Sequence, residues 1–114
     1  MKINVLGTLK TNSVMYKYSC IGEFDEARNI ITFVDNDITM SINLTDKKII
    51  RRNNEFIIEI DLNENVINTD LLKEKVTSSL KINVLKINIS KDSFETQYLI
   101  DNDEITLSLI FKEV

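Results

Sequence analysis

Apolar and polar residues alternate along almost the whole of this chain, and a period of two marks a strand whose side chains point to opposite faces of a sheet. The clearest run is Ile38-Thr39-Met40-Ser41-Ile42-Asn43-Leu44, with four apolar residues on one face and three polar on the other. Val14, Tyr16, Tyr18 and Cys20 share a face in the same way, as do Phe56, Ile58, Ile60 and Leu62, and later Ile105, Leu107, Leu109 and Phe111. Between the runs lie short polar segments such as Asp35-Asn36-Asp37, Arg52-Asn53-Asn54 and Asp101-Asn102-Asp103-Glu104. Asn and Asp tolerate left-handed backbone and hydrogen-bond their own turns, so they serve where the chain has no Pro and only two Gly.

This pattern predicts an all-β fold, a single antiparallel up-and-down β-barrel of about eight strands. They fall near 2–10, 14–22, 29–34, 38–45, 48–52, 55–62, 78–90 and 94–100, with 104–112 as a ninth. Asn63 to Ser79 breaks the alternation, and two readings are open for it. Thr69 to Val76 begins with a helix-capping residue and spaces Leu72 and Val76 four apart, which suits a short helical turn near 69–76; a loose edge segment is the other. In 78–90 the apolar face changes parity at Val84-Leu85, which predicts a β-bulge there. No internal repeat or low-complexity linker is apparent.

The 114 residues suit one domain, 1–114, with an ordinary globular balance of 43% apolar and 28% charged. No stretch reaches the roughly 18 to 20 apolar residues that cross a bilayer as a helix, so no membrane span is expected. Asn4 and the segment Gly7 to Lys10 interrupt the first apolar run too early for a signal-peptide core, and the single Cys20 forms no intramolecular disulfide. A cytoplasmic location is expected. The net charge of −4 disfavours nucleic acid as a partner.

The chain lacks the usual reagents of catalysis. It has no His, which removes Ser-His and Cys-His nucleophile constellations and the commonest proton shuttle near neutral pH. Cys20 lies in phase with apolar neighbours and reads as a core residue. The acidic turns lack the Gly and the final Glu of a calcium-binding EF-hand loop, so no metal is expected. Gly7 and Gly22 lie in different strands, which rules out a Gly-rich phosphate loop, and no cofactor is expected.

Lys47, Lys48, Arg51 and Arg52 are the one basic concentration. Consecutive strand residues face opposite ways, so one of the two arginines points into the apolar interior. A guanidinium there needs an anion, supplied by a carboxylate of this chain or by the head group of a ligand. Tyr16 and Tyr18 share a face opposed by Lys17, an arrangement that buries both rings with their hydroxyl groups seeking partners inside.

Tyr16 and Tyr18 before Gly22, the Ile30-to-Leu44 hairpin and Arg52 before a polar turn together resemble the YwiB-like bacterial family. So does the terminal series Leu80 to Val84, Ile87 to Ile89, Tyr98 to Ile100 and Ile105 to Glu113. The resemblance implies a small calycin-type barrel, lipocalin-like and similar in fold to fatty-acid-binding proteins, with no established function.

A barrel of about eight strands is either filled by side chains or just wide enough for one small ligand. A cavity would make the protein a non-catalytic binding module for a small, largely apolar molecule with an anionic end, with Tyr16, Tyr18, Met40, Arg52 and Tyr98 as its ligand-binding residues. A filled barrel would make it an interaction module, working through a strand edge, the Asn63–Ser79 segment or a homodimer.

Overall fold

The computed structural model describes the whole chain, Met1 to Val114, as eleven strands and no helix. They are β1 (Lys2–Lys10), β2 (Met15–Asp25), β3 (Ile30–Asp35), β4 (Ile38–Asn43), β5 (Lys48–Arg52), β6 (Phe56–Asp61), β7 (Val66–Leu71), β8 (Val76–Lys81), β9 (Asn83–Ile89), β10 (Ser93–Ile100) and β11 (Asp103–Glu113). All belong to one antiparallel sheet in the order β8-β7-β6-β5-β4-β3-β2-β1-β11-β10-β9. Every sequential pair but β8 and β9 is hydrogen-bonded, and β1 pairs with β11, so the meander curls into a barrel that is nearly closed.

The all-β barrel is as expected, but the strand number is not eight. One further strand comes from the segment that breaks the alternation and another from the division of the expected strand 78–90. Residues 69–76 form no helical turn: Val66 to Leu71 pairs in full register with Asp61 to Phe56, and Leu72 to Lys75 is the turn into β8. A helix there would have left the β6 edge unpaired, and the ladder outweighs a weak local preference. The predicted strand over 78–90 divides at Ile82, and its first part pairs with β7 while its second pairs with β10. Asn65 pins the division, its carbonyl accepting from the Ile82 amide at 2.9 Å and its side-chain oxygen from the Val84 amide at 3.1 Å. The bulge is where the parity placed it: Val84 faces Tyr98, Lys86 faces Gln97, and Leu85 faces no one.

Turn chemistry explains how so many hairpins form with so little glycine. Seven residues have positive φ and none is Gly; five of them are Asn or Asp, namely Asn29, Asn36, Asp37, Asn65 and Asp101. Asn36 and Asp37 together, at φ 49° and 65°, make the tight two-residue turn between β3 and β4. Both glycines are instead reserved for close approach of neighbouring strands. A Cβ on Gly7 would lie 2.3 Å from the Ser108 carbonyl oxygen, and one on Gly22 would lie 2.6 Å from that of Thr32.

A repeat, not apparent from residue identity, emerges from the backbone. Asn29, Lys47 and Asn65, eighteen residues apart, are all left-handed, and their carbonyls accept from the amides of Leu44, Leu62 and Ile82 at 3.0, 3.0 and 2.9 Å. Equivalent positions then carry Ile31, Ile49 and Ile67, or Ile42 and Ile60, on the inner face.

Seventeen buried apolar residues form the core. Its tightest part includes Ile3, Val5, Ile31, Ile42, Phe94 and Leu109, each 2% exposed or less. The barrel is therefore filled there, and the space inside it lies toward the other end.

Candidate functional site

The eighteen-residue spacing places Phe33, Arg51 and Thr69 at one equivalent inner position. Arg51 thus stands where the preceding hairpin has a buried ring. Its cross-strand neighbours are Met40 and Ile58, both inner-face residues, whereas Arg52 pairs with Thr39 and Ile57 and is exposed. Arg52 as the inward arginine is accordingly corrected to Arg51. The physical reason is register: Ile49 opposes Ile42 and Ile60 in the core, so odd-numbered residues of β5 face inward.

Arg51 lines two neighbouring spaces. An outer one of about 370 Å³ is lined by Leu9, Val14, Tyr16, Asp35 and Ile38 among others, and an inner one of about 350 Å³ chiefly by isoleucines, with Thr69, Leu80 and Tyr98. Leu9, Tyr18, Met40 and Arg51 line both. Each space is near the lower end of the range for small-molecule pockets.

The structure brings Tyr16, Tyr18, Met40 and Tyr98 together around these spaces. Tyr18 and Met40 line both, Tyr98 the inner and Tyr16 the outer. Tyr18 stands opposite Gly7 on β1. The ring meets Phe33 edge-on with centroids 5.6 Å apart and Tyr16 with centroids 5.1 Å apart. Tyr16 is at the rim rather than inside. Its hydroxyl donates to Asp35 Oδ2 at 2.6 Å and accepts from Asn36 Nδ2, tying β2 to the β3–β4 turn.

Arg51 is the outlier in this site. Its Nε is buried with no hydrogen-bond partner, and no carboxylate is within ion-pairing distance of the guanidinium. Asp35 shares the outer space but is engaged by Tyr16. A buried N–H without a hydrogen bond is costly, and such a group asks for an explanation.

Burial pushes the Tyr98 hydroxyl up to about 12, and the nearby Arg51 charge offsets part of that rise. Burial raises Tyr18 too, again opposed by Arg51, and raises the Cys20 thiol. Hydrogen bonding to Asp35 is what raises Tyr16. At neutral pH the phenols are therefore hydroxyl donors, and Arg51 with Tyr18 and Tyr98 offers cationic and neutral donors to one apolar space. That arrangement can hold an anion.

Sequence reasoning passed over Leu9, Ile67, Thr69 and Leu80 as site residues and left open which of Arg51 and Arg52 faces inward. The register of Ile49 could have singled out Arg51; Ile67 and Thr69 belong to the segment with no alternation to read. Comparison with known proteins gives no matching family model, no similar curated protein and no similar solved structure.

Proposed function

We propose that the protein is a non-catalytic binding module for a small, largely apolar molecule carrying an anionic group. The observation that carries this reading is Arg51, which lines both apolar spaces and has a buried Nε with no hydrogen-bond partner. The apolar part of the ligand would fill the inner space against Ile49, Ile58 and Ile67, and its anion would take the hydrogen bonds that Arg51 lacks. Tyr18 and Tyr98 would add neutral donors. The resemblance to YwiB-like, calycin-type bacterial barrels favours the same reading, and the lone thiol suits a reducing cytoplasm.

Decanoate and decanol test it, because they share an apolar chain and differ in the anion. Decanoate should bind at least tenfold more tightly than decanol by calorimetry, and Arg51→Met should abolish that difference while leaving decanol affinity unchanged. Equal binding of the two by the native protein would remove the role given to Arg51. Native mass spectrometry of protein purified without detergent, followed by organic extraction, would then identify the natural ligand class.

A further inference from the structure

The sheet ends at β8 on one side and at β9 on the other, and these two strands do not pair with each other. β8 has β7 as its only hydrogen-bonded neighbour, so its outer row of amides and carbonyls is free. Its inner-face residues show the same vacancy. Val76 and Leu80 oppose Leu71 and Ile67 across the ladder, and Leu80 lines the inner space, yet Val76 is 50% exposed and Leu80 45%. Leu71 and Leu72 at the top of the same hairpin are also exposed. The other edge of the sheet is β9, paired only with β10. On β9 the bulge at Leu85 disrupts the edge, which discourages pairing there. β8 has no such irregularity.

Charge narrows what could fit. The β7–β8 hairpin, Val66 to Lys81, carries Lys73, Lys75 and Lys81 against Asp70 and Glu74, a positive balance in a chain whose net charge is −4. None of the three lysines is in a salt bridge. Two copies of this edge laid against each other would bring lysines together, so the same charges that would attract an acidic strand oppose self-pairing.

We propose that the open edge of β8 accepts one extended segment of a partner protein as an added strand, apolar at alternate positions and acidic at those between. Its main chain would complete the ladder, its apolar residues would cover Val76 and Leu80, and its carboxylates would meet Lys73, Lys75 and Lys81. This does not rest on the ligand reading, since it uses neither Arg51 nor the tyrosines.

The probes are two labelled octapeptides, one alternating Val with Glu and one alternating Val with Lys, measured by fluorescence anisotropy. The acidic peptide should bind at least tenfold more tightly, weaken as salt rises, and protect the amides of residues 76–81 from hydrogen exchange. Replacing the three lysines together (Lys73→Glu, Lys75→Glu, Lys81→Glu), all exposed and unpaired, should leave thermal unfolding unchanged and reverse the preference. Binding of neither peptide, equal binding of both, or protection confined to other strands would overturn the proposal. So would a free protein that sediments as a dimer with the β8 amides already protected, because the occupant would then be a second copy.

Discussion

The two ends of this barrel are built from the same hairpins and yet behave as different materials. At one end Ile31, Ile42, Phe94 and Leu109 interlock with almost no exposure. At the other, the equivalent layer of one hairpin presents Arg51 where its predecessor presents Phe33, and space opens around it. Packing at the first end supplies the stability that lets the second keep a buried N–H without a partner. A site of this kind is a local departure from the consistency that folds the rest of the chain.

The sharpest way to break the comparison is to hollow the packed end. Phe94→Ala removes a fully buried ring and should destabilise the protein by about 3–5 kcal/mol in urea unfolding. A loss below about 1 kcal/mol would mean that this end is not the stabilising one.

An intermediate effect comes from pH. Tyr98 is held at about 12 when folded, above its ordinary value of 10.0. Because the folded value is raised, its contribution is complete below pH 10 and is lost as pH rises through 12, where the unfolded chain gains by ionising first. The loss should be roughly 2 kcal/mol across that window, and Tyr98→Phe should flatten it. Identical alkaline profiles for both proteins would show that Tyr98 is not the group responsible.

The smallest effect should have the opposite sign. Arg51→Met removes a buried Nε that has no hydrogen-bond partner and leaves a shorter apolar side chain, and should raise stability by about 1 kcal/mol. Destabilisation of that size instead would mean that the guanidinium has a protein partner in solution.

Much of the fold was legible because alternation reports sheet and face at once. The runs at 38–44, 56–62 and 105–111 gave their strands and their inner faces, and the parity change at Val84-Leu85 gave the bulge. What could not be read was 66–81. β7 there has Asn68 and Asp70 on its outer face but Thr69 on its inner one, and β8 is an edge with Thr77, Ser78 and Ser79 in sequence, so neither shows a clean period. Four of the five site residues were legible for a related reason: Tyr16, Tyr18, Met40 and Tyr98 lie in strongly alternating strands. Arg51 and Arg52 were not separable by identity, because a one-residue slip exchanges faces and only the long-range pairing of Ile49 with Ile42 fixes the slip.

The regular interval between Asn29, Lys47 and Asn65 has a consequence for what this architecture can become. Each hairpin is closed at its base by the same kind of amide-to-carbonyl bond, and the first two, Asn29 to Leu44 and Lys47 to Leu62, are of equal length. A further unit entering at Glu64-Asn65 would find its donors and acceptors already in phase. The circumference of such a barrel is a count of modules, and circumference determines whether the interior holds side chains or a guest. Capacity and chemistry can then change independently, the first by the number of hairpins and the second by a single residue at the position shared by Phe33, Arg51 and Thr69.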